Sequence, residues 1–469
     1  MLFNSLPFLL FLPIVIILYY LFPFKYRWVL IFVASCYFYM ALIPAYILIL
    51  FFIICVDYFS ALVIERSQGK LRKVILAISI IANISLLAFF KYFNFANENI
   101  TWVLQQLQIT NPVSNLNVLL PIGLSFHTFQ SMAYTIEVYR GNQKAERHLG
   151  YFANYVLFFP QMVAGPIERY ERLGNQLKVN HVFDYENFSK GFRVLLFGFF
   201  IKMTIADNLA PLVDAVYANP QQYNSLSVFT AMIFFSFQIY ADFFGYSLIA
   251  IGAAKLMGID LMENFKTPYL AKNIHNFWKR WHISLTTWFT DYLYIPLGGN
   301  RVSQVRWIIH IMIVFVVSGL WHGASWTFVI WGTLHGLTYL VERFLNKVLY
   351  INTESKNVLF NAFRVLKTFL FVSIFWVFFR TESIEKVELI FQSMLHNHAS
   401  TFQVLKIEYK IWGLLLLFIL FDLLLFNTMI DVWLSKKPIY IRWGIYALLL
   451  FGLMAMGGVD NLPFIYFQF

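Results

Sequence analysis

Apolar stretches close to the 20 or so residues needed to cross a membrane as a helix recur along the whole chain. Residues 6–22, 28–42, 44–64, 74–93, 192–213, 227–255, 307–321, 325–342, 364–379, 411–427 and 440–459 are predicted to be helical spans, about eleven in number. Two more apolar stretches, 118–138 and 151–166, are interrupted by Pro121, Gly123, Pro160, Gly165 and Pro166. Irregular backbone at membrane depth is tolerated only where protein or water covers it, so these two are predicted to be re-entrant. The pattern predicts an all-α polytopic membrane protein. Residues 1–469 read as one membrane-embedded domain, with no appended soluble domain, linker or low-complexity tract.

One segment departs from this pattern. Residues 277–301, FWKRWHISLTTWFTDYLYIPLGGNR, carry Lys279, Arg280, His282, Asp291, Asn300 and Arg301 among aromatic side chains. Charge at membrane depth is costly, and it usually lines a cavity or a pathway. Read as one helix, Trp278, Trp281, His282 and Leu285 share a face that Trp288 and Phe289 continue. Such a face suits the wall of a narrow tunnel. It equally suits an interfacial helix with an aromatic belt and basic anchors. GGNR at 298–301 reads as a tight turn or as a contact for an anionic ligand.

His322 ends a second informative run, VFVVSGLWHGASW, where Gly319 and Gly323 flank Trp321 and His322. Glycines there permit close backbone approach or an unwound helix end. An imidazole, with an ordinary pKa of about 6.5, serves as a general base near neutral pH. The other reading is a packing histidine bonded across helices. His310 and His335 fall at neither i+3 nor i+4 of His322, so no metal site is expected. Asp242 lies within a span, in QIYADFFGYS beside Gln238, Tyr246 and Ser247. An acid there is either functional or paired with a Lys or Arg from a neighbouring helix. AGPIER at 164–169 reads as a helix-ending loop with a Glu168/Arg169 salt bridge.

Composition agrees with the membrane reading: 60% of residues are hydrophobic, 20% aromatic and only 13% charged, against about 25% charged in soluble domains. The net charge of +11 reflects cytoplasmic loops and anionic head groups, not nucleic-acid binding. Lys25 and Arg27, then Arg66, Lys70, Arg72 and Lys73, mark inner loops, whereas residues 94–117 contain no Lys or Arg. That asymmetry predicts both termini outside. The first span lacks the basic flank of a cleavable signal. Cys36 and Cys55 lie in apolar segments, and no disulfide is expected. No GxSxG or GDSL-type block is present, so a covalent serine relay of the hydrolase kind is not indicated.

FWKRWHISLTTWFTDYLYIPLGGNR followed by SGLWHGASWTFVIWGTLHG resembles the membrane-bound O-acyltransferase (MBOAT) family, in its bacterial alginate O-acetyltransferase (AlgI-like) branch. MLFNSLPFLLFLP, PIGLSFHTFQ, MVAGPIERY, YADFFGYSLIAIG, ENFKTPYL and FIYFQF extend the resemblance from end to end. It implies helices around a tunnel joining the two membrane faces, with no permanent cofactor. It implies acetyl-CoA as a cytosolic donor substrate and an exported, alginate-like polysaccharide hydroxyl as the final acceptor. It implies a separate extracytoplasmic SGNH-hydrolase-like partner, contact with membrane lipid, and residence in the bacterial inner membrane. The family's invariant histidine falls on His322 and its second active-site position on His282. Arg280, Lys279 and Arg301 become candidates for the CoA phosphates, with Trp281, Asp291, Asp242, Tyr246 and Trp321 as further substrate contacts. Leu248 and His127 depart from the acid and the aromatic residue common at these positions in relatives. D-alanyl transfer to teichoic acid, as in the more distant branch, is the alternative within the enzyme class. A polar-substrate transporter is the alternative outside it.

Overall fold

The computed structural model describes residues 1–41, 43–162, 165–350, 356–399, 401–457 and 463–467. Ala164 of the AGPIER break, Leu42 and Val459 at the ends of predicted spans, and most of the tail after Gly457 lie outside the described residues. The described residues are helical, with a single isolated bridge between Tyr223 and Gln403. Among them, seven helical segments are long and apolar enough to cross a membrane. That is fewer than the eleven predicted, for reasons of length and charge. Leu6–Leu21 and Tyr409–Leu424 have only 16 residues each. Phe24–Met40 carries Lys25 and Arg27, and Trp326–Val348 carries Glu342, Arg343 and Lys347.

The chain forms two compact units, Met1–Gly191 with Ala253–Met262, and Phe192–Gly252 with Glu263–Phe469. In the first, the stretch 118–138 is irregular only at its start. Gly123, at φ 74°, ends the irregular part, and Leu124–Arg140 is one unbroken helix. It begins where the chain leaves a left-handed glycine, and its buried face is polar, with His127, Thr128, Gln130, Ser131 and Thr135. The stretch 151–166 becomes the short helix Leu149–Leu157 and a turn. Of residues 94–117, 94–106 are helical, because Gly69–Gln106 runs on through a π-helical turn at Ala88–Tyr92. Fully buried Asp57 accepts hydrogen bonds from Ser79, Asn83 and Thr135, so a carboxylate at depth is covered by neutral donors. Glu168 pairs with Arg172 at 3.9 Å and accepts the Met262 amide.

In the second unit, glycines set the closest helix contacts. A Cβ on Gly245 would lie 2.8 Å from the Lys202 amide, and one on Gly198 would lie 2.8 Å from the Ile249 amide. Small residues here let two helical backbones touch, which brings Lys202 beside Asp242. A second pair acts the same way. A Cβ on Gly319 would meet the Phe328 carbonyl at 2.2 Å, and one on Gly332 the Phe315 carbonyl at 2.3 Å. This locks Gln304–His322 against Trp326–Val348 and fixes the position of His322, the last residue of its helix. Outward-facing apolar side chains such as Phe451, Met454 and Leu416 are at least two-thirds exposed, as a lipid-facing surface requires.

Candidate functional site

The polar segment is not one helix. Ile274–Trp278 ends, the chain turns, and Ile283–Phe289 starts afresh at His282. His282 sits at φ 44° and ψ 55°, a left-handed conformation that is uncommon for a residue with a side chain. The predicted face of Trp278, Trp281, His282 and Leu285 therefore does not exist as a helical stripe. Such a conformation persists only where the surroundings over-determine it. Buried Asn264 supplies that constraint. Its carbonyl oxygens accept from the Ile283 amide at 3.0 Å and from the Ser284 hydroxyl at 2.6 Å, and its side-chain amide donates to Ser247 at 3.2 Å. The Lys266 amide also donates to the Arg280 carbonyl at 2.9 Å.

The turn aims His282 into an aromatic chamber. Its ring lies 4.7 Å from Phe243, 6.0 Å from Trp321 and 6.3 Å from His322. His322 stands against Trp331 at 5.1 Å, Phe379 at 5.3 Å and Tyr466 at 5.6 Å. Both imidazoles are buried. Gly323 follows His322 in extended backbone, so the helix end expected there is present. Trp281 backs the chamber wall, 4.9 Å from Trp376.

The remaining predicted residues divide. Lys279 and Asn300 line a cavity of about 420 Å³ together with His275, Trp278, Phe315 and Arg343. Trp278 spans the wall between this cavity and the chamber, packing 5.6 Å from Trp331 and donating its indole N–H to His335 at 3.3 Å. Arg280 points elsewhere. Its guanidinium bonds Asn276, Thr267 and Asn427 and covers the Phe426 ring. Arg301 is exposed after the GGNR turn, where Gly298 and Gly299 both have positive φ. Asp291 lies half-buried on the π-helical turn Thr290–Tyr294.

Asp242 has the cation expected of it: Lys202 reaches it at 2.5 Å and reaches Asp207 at 2.6 Å. Tyr246 is fully buried under Lys202 and packs 4.7 Å from Phe464. Four contributors had no clear signal in sequence: Asn264, Lys202, His335 and Tyr466. Lys202 was the most accessible of these, as a lone cation in the apolar run LLFGFFIKMTIAD.

The description "MBOAT, membrane-bound O-acyltransferase family" matches residues 143–383. A probable alginate O-acetylase, AlgI, of Pseudomonas syringae pv. tomato is 38% identical across 84% of this chain and 75% of its own length. A peptidoglycan O-acetyltransferase of Helicobacter pylori is 35% identical across 77% of this chain and 72% of its own. A teichoic acid D-alanyltransferase of Streptococcus thermophilus is 29% identical across 50% of this chain and 60% of its own.

Proposed function

The chain belongs to the membrane-bound O-acyltransferase family, and from that premise we propose that it moves an acetyl group from cytosolic acetyl-CoA across the membrane for O-acetylation of a cell-envelope polysaccharide. The observation that carries this reading is the 6.3 Å separation of His282 and His322, both buried among aromatic side chains. Such a chamber holds a donor and a hydroxyl together and keeps out the water that would hydrolyse a thioester.

In the proposed step, His322 takes the proton of an acceptor hydroxyl as its oxygen forms a bond to the thioester carbonyl carbon. The carbon–sulfur bond then breaks, and the departing CoA thiolate takes the proton from the imidazolium. His282 orients the thioester or donates to the carbonyl oxygen as negative charge develops there. A general base of this kind contributes about 10² to 10⁴-fold. The cavity beside Trp278 suits the pantetheine arm, and Lys279 and Arg343 in its lining suit the phosphates of coenzyme A. Arg280, held by neutral partners, braces the turn instead.

Relatives named for alginate and for peptidoglycan support a glycan acceptor. On this reading the chain resides in the bacterial inner membrane, and the distribution of basic residues supports both termini outside. A separate extracytoplasmic SGNH-hydrolase-like protein would complete delivery to the polymer. The likeness to the D-alanyltransferase keeps a second reading, transfer of D-alanine from a carrier protein. Purified protein incubated in turn with labelled acetyl-CoA and with D-alanyl carrier protein separates them. Acetyl transfer alone supports the first reading, and D-alanyl transfer alone replaces it.

A further inference from the structure

Lys202, Asp207 and Asp242 are an ionic cluster buried inside two spanning helices, with all three residues less than a tenth exposed. Removing three charges from water is costly, and a buried ion pair is weak evidence of stabilisation by itself. The cluster touches something that needs holding. The second oxygen of Asp242 accepts the backbone N–H of Ile465 at 2.7 Å. A charged acceptor gives a strong hydrogen bond, and it is placed here on a chain segment that forms only the short turn Ile465–Phe467.

Three pairs of adjacent residues show what that bond positions. Asp242, Arg380 and Ile465 line a polar cavity of about 40 Å³. Their neighbours Phe243, Phe379 and Tyr466 face the histidines instead. The Tyr466 ring lies 4.6 Å from Phe243, 5.7 Å from Phe379 and 5.6 Å from His322. The segment is thus a partition with the polar cavity on one side and the chamber on the other. We propose that Lys202 and Asp242 are positioning residues that latch residues 463–467 in place as a wall of the histidine chamber. Lys202 fixes Asp242 at 2.5 Å, Asp242 holds Ile465 at 2.7 Å, and the side chain of Tyr466 is thereby seated. The wall's bearing on acetyl transfer rests on the reading above; the latch itself does not.

The experiment uses the full-length chain with Cys36 and Cys55 replaced by Ser and Ile465 replaced by Cys. A maleimide reports access to the segment, and steady-state kinetics with acetyl-CoA report the chamber. Ile465 is 4% exposed, so slow labelling is expected. In Asp242→Ala, labelling should quicken about tenfold or more as local opening becomes easier, with kcat falling and KM for acetyl-CoA little changed. Asp242→Asn keeps an oxygen for the Ile465 amide but loses the ion pair, and should fall between the two. It also decides the matter if the alanine variant does not fold. Asp214→Ala, lining the same cavity but paired with Arg380, should leave labelling unchanged. Unchanged labelling in both Asp242 variants overturns the latch whatever the enzyme's reaction. Faster labelling with kcat intact overturns the wall while leaving acetyl transfer standing.

Discussion

The Asn264 side-chain oxygen and the Ser284 hydroxyl, 2.6 Å apart and both buried, hold the one turn that points His282 at His322. Replacing Asn264 with Ala leaves Ser284 without its acceptor and frees a left-handed residue to relax. The expected cost is about 1–3 kcal/mol of stability. A larger proportional loss should appear in kcat, about tenfold or more, because displacement of a reacting group by even 1 Å is severe. Thermal unfolding in detergent and acetyl-transfer rates on the same preparation check both.

Helix approach at Gly319 makes a second expectation. Gly319→Ala places a methyl 2.2 Å from the Phe328 carbonyl, so the hairpin carrying His322 must spread. Overpacking of this kind costs about 1–3 kcal/mol. Gly413→Ala, inside the helix Tyr409–Leu424, meets nothing within 4 Å and should be neutral to slightly stabilising. Equal melting temperatures for the two variants would contradict the packing account.

The pH response of the first unit should follow Glu168. Burial raises its carboxyl to about 7, and the Met262 amide and nearby Arg172 and Arg169 only partly offset that. The folded state therefore binds a proton between the ordinary carboxylate pKa, about 4.5, and pH 7 that the unfolded chain has released. This contribution to stability is present at low pH and is lost as pH rises through 7. Melting temperature should fall from pH 5 to pH 8, and Glu168→Gln should flatten that slope.

The donor cavity gives a kinetic contrast. Lys279→Ala and Arg343→Ala should each raise KM for acetyl-CoA several-fold, about 5- to 10-fold for one phosphate contact, with kcat nearly unchanged. The rise should be smaller at high salt. Arg301→Ala, at an exposed turn, should change neither constant.

The spans could be read from sequence because lipid demands a long apolar run, and the two histidines stood out against such runs. The glycines around Trp321 and His322 also marked the helix end that the structure has. The polar segment was misread because helical periodicity was extended through His282, where a contact from Asn264, distant in sequence, breaks it. No local pattern encodes that bond. The partner of Asp242 was foreseen as a cation but not as Lys202, because the pairing depends on Gly198 and Gly245 allowing two backbones to touch. Pro121 and Gly123 interrupt the stretch 118–138 in sequence, yet both precede Leu124–Arg140 and mark where that helix begins. Lys279 and Arg280 are adjacent in sequence and part in space, which helical periodicity cannot decide because the helix ends at Trp278, just before them.

The most direct measurement is acetyl transfer from labelled acetyl-CoA by purified His322→Ala in lipid, with size-exclusion chromatography showing that it remains folded. Loss of about 10² to 10⁴-fold in the transfer rate, with acetyl-CoA still bound, is the result expected of a missing general base. Transfer at an undiminished rate by the folded variant would contradict the assignment of His322 and the chemistry built on it.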